Sequence, residues 1–73
     1  MNANKPIKEI RLGAIRASIW KNEKDNRVNH NVKITRLYKQ NDEWKETTSF
    51  SKTDLALVTK VADLAHTYIY QST

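Results

Sequence analysis

The stretch from Phe50 to Tyr70, FSKTDLALVTKVADLAHTYIY, carries more apolar surface than a helix on the outside of a small domain ordinarily hides. Its spacing is helical. Leu55, Val58, Ala62, Ala65 and Ile69 make one stripe, and Leu57, Val61, Leu64 and Tyr68 make a second beside it. Together the stripes span roughly half of the helix circumference, against roughly a third for a surface helix. Lys60, Asp63 and Thr67 mark the solvated side. Ser51 with Asp54 matches a capping box, Asp standing where Glu is usual, and Phe50 with Leu55 matches a hydrophobic staple. A helix is therefore expected from this cap to about Tyr70, and the rest of the chain must cover it.

The preceding residues read as strands. Ile7 to Trp20, IKEIRLGAIRASIW, keeps one apolar parity at Ile10 and Leu12 and the other at Ile15, Ala17 and Ile19. A strand has period two, so the switch implies a bulge, and Gly13, the only glycine, sits at it. Lys21 to Asn29 is charged and rich in Asn and Asp, as a loop is. A second strand is expected from His30 to Lys39, a turn at Gln40–Asp42 and a third strand from Glu43 to Phe50. The expected fold class is α+β: a three-stranded antiparallel meander followed by one C-terminal helix packed on one face. Residues 1–6 form a polar arm, 7–70 the single domain and 71–73 a tail.

If Gln40–Asp42 is a three-residue hairpin loop, Tyr38 faces Trp44, Lys39 faces Glu43 and Arg36 faces Glu46, pairings that cross-strand contacts favour. One face then holds Val32, Ile34, Arg36, Tyr38, Trp44, Thr48 and Phe50, the side for the helix. The open face holds Arg16, Trp20, Lys33, Thr35, Lys39, Lys45 and Thr47. A cationic, hydroxyl-rich sheet with an aromatic on it suits a single-stranded nucleic acid, whose phosphates meet the charge and whose bases stack. The same pattern suits an ordinary solvated outer face.

A net charge of +5 in 73 residues favours an anionic partner. The absence of cysteine excludes disulfides and thiolate metal sites, and two histidines, His30 and His66, make no zinc site. No Ser-His-Asp set, carboxylate pair or Gly-rich phosphate loop can be assembled, so no catalytic residue, cofactor or metal is expected. No segment reads as a membrane span or signal peptide, which makes a cytoplasmic protein the default. A three-stranded sheet covers one helical stripe. The second, Leu57, Val61, Leu64 and Tyr68, is expected to meet another copy of the chain in a homodimer.

RLGAIRASIW, the hairpin from RLYK to EWK, and DLALVTKVADLAH together resemble a family of small bacterial proteins with no assigned activity. The layout of a strand meander, one C-terminal helix and a basic dimer also resembles the Whirly and positive-cofactor-type single-stranded-DNA-binding proteins, though this chain is expected to be one strand short of their four. That resemblance implies a sheet that binds the strand and a helix that aids dimerisation. The sequence thus points to a non-enzymatic module for single-stranded DNA or RNA with little sequence preference. The alternative is a homodimeric protein-interaction module with no nucleic-acid role.

Overall fold

The computed structural model describes residues 5–72. Residues 1–4 of the expected arm and Thr73 of the expected tail lie outside them. Four strands, β1 (Lys8–Leu12), β2 (Ile15–Lys24), β3 (Arg27–Gln40) and β4 (Glu43–Thr47), form one antiparallel sheet in the order β1-β2-β3-β4. A 3-10 turn at Lys52–Asp54 leads into helix α1 (Leu55–Gln71), which packs on β1, β2 and β3. The α+β class is as expected, but the sheet has four strands rather than three.

The additional strand comes from the parity switch at Gly13. Ile7–Trp20 is not one bulged strand; it folds back on itself, with Leu12 paired to Ile15 across Gly13 and Ala14. Gly13 has φ +59°, which a type II′ turn requires at its first central residue and which only glycine adopts without strain. A two-residue turn exchanges apolar parity just as a bulge does, so Ile10, Leu12, Ile15, Ala17 and Ile19 all face the helix. Two more turns of this length follow. Asp25 and Asn26 have φ 54° and 64°, and Asn41 and Asp42 have φ 52° and 64°, the pair of positive angles of a type I′ turn. The expected loop Lys21–Asn29 is therefore mostly strand, with Lys24 paired to Arg27.

The turn at Asn41–Asp42 also changes the last register. With two loop residues instead of three, Gln40 pairs with Glu43, Lys39 with Trp44, Tyr38 with Lys45, Leu37 with Glu46 and Arg36 with Thr47. A one-residue slip turns a strand over. Trp44 and Glu46 therefore stand on the open face, and Lys45 and Thr47 on the helix side, the reverse of expectation. Trp44, expected in the core, is 67% exposed.

The core is a seam between β2 and α1. Ile15, Ala17 and Ile19 are buried under Val61 and Ala65, with Ile10, Leu12, Ile34, Phe50, Val58, Tyr68 and Ile69 packed around them. Val61 is fully buried, so it cannot belong to an outer dimer surface. The other residues of the stripe assigned to a second copy are covered in part within their own chain, and Leu57 stays exposed. Leu57 Cδ1 lies 3.5 Å from where a β-carbon on Gly13 would sit, Lys8 Nζ stands 5.7 Å above the Tyr68 ring, and Leu64 is half-buried. The strand that sequence reading missed is the one that closes over this side of the helix.

Asp54 organises the helix start. Its Oδ2 accepts hydrogen bonds from the Ser51 N–H at 2.8 Å and the Ser51 hydroxyl at 2.9 Å, and lies 3.1 Å from Arg36 Nε of β3. Ser51 and Asp54 thus form the expected capping box, the Ser51 side chain facing the Asp54 N–H and the Asp54 side chain the Ser51 N–H, and the Asp54 N–H also bonds to Ser51 O at 3.0 Å. These contacts, the Ser51 N–H foremost, then its hydroxyl and then Arg36, hold the Asp54 carboxyl below its ordinary value of 3.8. A carboxylate with a depressed folded pKa stabilises the fold above its unfolded pKa, and the effect disappears as pH falls through the folded value. Asp54→Asn is expected to lower stability near neutrality and to leave less stability to be lost in acid. Urea denaturation of both proteins at about pH 6 and about pH 3 checks this: the gap between their midpoints should shrink at the lower pH.

Candidate nucleic-acid interface

The face away from the helix is assembled by alternation. The paired registers bring Glu9 and Arg11 of β1, Arg16, Ser18 and Trp20 of β2, Lys33, Thr35, Leu37 and Lys39 of β3, and Trp44 and Glu46 of β4 onto one surface. Of the expected binding residues, Arg16, Trp20, Lys33, Thr35 and Lys39 are together here. Lys45 is not, because β4 is turned over; Thr47 belongs to the helix side by register but still borders Lys33, Thr35 and Glu46 at a groove of about 330 Å³. Trp44 and Arg11 are the residues sequence reasoning left out. The signal for Trp44 was the Asn-Asp pair at the hairpin tip, which suits a two-residue turn.

The two tryptophans of the chain share this face. Trp20 pairs with Asn31 and Trp44 with Lys39, positions on the order of 26 Å apart along β3 at the usual strand rise. Between them, Lys33, Thr35 and Leu37 alternate outward along the strand. Trp44 has Lys39 Nζ 6.0 Å from its ring centroid. Arg11, Arg16, Leu37 and Trp44 line a shallow groove of about 310 Å³, which combines two guanidinium groups with an apolar floor.

The middle of the face is closely packed and polar. Ser18 and Thr35 are buried although they point away from the helix. Ser18 Oγ donates to Glu9 Oε2 at 3.5 Å, and Arg16 Nη2 donates to Glu46 Oε1 at 3.1 Å. A hydrogen bond from Thr35, and then the bond and charge of Arg16, pull the Glu46 carboxyl below its ordinary value. Glu46 is therefore an ionised counter-charge at neutral pH. The face is cationic but also contains Glu9 and Glu46. Arg16 is only partly engaged, since its buried Nε has no hydrogen-bond partner among the described residues.

Among the described residues no three His, Asp or Glu side chains gather as a metal site would require, and no helix is long and apolar enough to cross a membrane. Comparison with family models, with curated proteins and with solved structures returns no match.

The two kinds of large side chain should answer differently to truncation. Ile19→Ala is expected to lower stability by about 2–5 kcal/mol, since it empties a buried site. Trp44→Ala is expected to cost about 1 kcal/mol at most, the worth of an exposed cation–π contact. Thermal and urea melts of both variants check the assignment; a Trp44 variant that melts like the Ile19 variant would place Trp44 in the core after all.

Proposed function

We propose that this chain is a non-enzymatic module that binds single-stranded nucleic acid, with little sequence preference, across the open face of its sheet, and that it works as a homodimer. The observation that carries the reading is the pair Trp20 and Trp44 at the two ends of a cationic row on one face. Stacking is tolerant of sequence because every base has a π-face, and lysine and arginine follow the backbone. In this arrangement Trp20 and Trp44 stack bases, while Arg11, Arg16, Lys33 and Lys39 meet phosphates and Thr35 supports Glu46. Glu46 tempers Arg16 and keeps it oriented.

Titration with single-stranded and duplex oligonucleotides at two salt concentrations, read by the intrinsic tryptophan fluorescence, tests the reading. Quenching by the single strand, stronger than by the duplex, is expected. Trp44→Ala and Trp20→Ala should each weaken binding by about 1–3 kcal/mol. Lys33→Ala should reduce the log–log salt slope by roughly 0.7, the release expected for one single-strand phosphate. Glu46→Gln should act in the opposite direction, tightening binding and steepening the slope, because it removes the counter-charge from Arg16. Absence of binding at low salt would sink the proposal and leave the alternative, a protein-interaction module.

A further inference from the structure

The sheet has a long edge on β3 with which no strand among the described residues pairs. β4 pairs with β3 only from Arg36 to Gln40, so β3 from Arg27 to Thr35 has β2 on one side and no strand on the other. The direction of its free groups follows from the pairing. The Leu37 N–H bonds to Ala14 O at 2.7 Å, so odd-numbered residues of β3 turn their main-chain groups to β2 and even-numbered ones turn theirs away. Val28, His30 and Val32 thus present N–H and C=O to the outside. This part of the edge holds no proline, and its inward-facing side chains are apolar or His; its only charged protections, Arg27 and Lys33, stand on the open face. Val28 and Val32, at 48% and 41% exposure, are two of the large apolar groups left open, and both lie on the helix side of this edge. The ribbon from Lys21 to Val28 is two strands alone, an arrangement that is marginal in water.

We propose that this edge is the homodimer interface: β3 pairs antiparallel with β3 of a second copy, with the two His30 residues opposite each other on the two-fold axis. The same segment must face itself in a two-fold interface, and this register satisfies it. Val28 lies opposite the partner's Val32, and Val32 opposite the partner's Val28. The three pairs exchange about six main-chain hydrogen bonds. Registers that slide the partner further along β3 bring its Asp25–Asn26 turn toward the space next to Arg36, where Thr47 of β4 already pairs. Parity is preserved, so the two sheets become one of eight strands with both helices on one side.

The partner then adds to the open face. Lys33 lies opposite the partner's Arg27, which is itself paired to its Lys24, giving a row of three cations across the seam, repeated by symmetry. Like charges opposite each other oppose assembly, and a polyanion lying across the row relieves them. This coupling rests on the proposed nucleic-acid reading; the pairing of the edges does not.

The native chain has no cysteine, so one introduced thiol reports a single contact. His30→Cys should form a covalent dimer under mild oxidation without any oligonucleotide, since directly opposed residues in such a pair are close enough for a disulfide. Asn22→Cys, on β2 and away from the seam, should not. His30→Pro removes only an outward N–H and should give a monomer by sedimentation that keeps the helical circular dichroism of the native chain. A native chain that sediments as a monomer at high concentration, failure of His30→Cys to crosslink, or equal crosslinking through Asn22→Cys would overturn the interface. Addition of a single-stranded oligonucleotide should shift the native chain further toward dimer. If the edge crosslinks but no oligonucleotide binds, the interface stands, and the nucleic-acid reading and the coupling fail together.

Discussion

Every strand register in this sheet is set by a two-residue turn with positive φ. Gly13, the Asp25–Asn26 pair and the Asn41–Asp42 pair are those turns. The right-handed twist of paired strands favours this short reversal, and it admits only residues that tolerate the left-handed region. Once the turns are placed, the side of the sheet on which each side chain stands is determined. Ile15, Ala17 and Ile19 go beneath the helix, and Trp20, Lys33 and Trp44 go to the open side. The core and the candidate interface are thus two outcomes of one backbone constraint.

The balance of the helix depends on the first of these turns. Gly13 returns the chain along β2 and creates β1, whose Ile10 and Leu12 pack beside the buried seam. With that strand present, Val61 and Ala65 lie at the centre of the contact rather than at the border of two stripes. Val61 is thereby withdrawn from the outer surface of the helix, while Leu55 and Leu57 stay exposed.

Much of this was legible in the chain. The helix, its start at Ser51 and Asp54, and the opposite faces of Ile34 and Lys33 follow from period and capping alone. What misled the reading was a degeneracy of parity. A bulge and a two-residue turn at Gly13 produce the same exchange of apolar positions, and only the pairing of Leu12 with Ile15 separates them. At the last hairpin, a three-residue loop produced attractive pairs, Tyr38 with Trp44 and Arg36 with Glu46. The backbone at Asn41 and Asp42 chose the other loop length, and the side chains found different partners: Lys39 for Trp44 and Arg16 for Glu46. Local pair preferences are worth a fraction of a kcal/mol and do not outweigh turn geometry.

The order of the elements has a consequence for how the molecule is made. Each strand meets only its neighbours in sequence, so hairpins can close as the nascent chain emerges, and such local contacts form quickly. The helix follows all four strands. At ordinary rates of translation its synthesis takes on the order of a second or more after β4. During that interval Ile15, Ala17 and Ile19 have no lid. A sheet formed ahead of the helix has an apolar side and an unpaired edge, the two features that expose a folding chain to aggregation. Val61 and Ala65 are the side chains that close that apolar side.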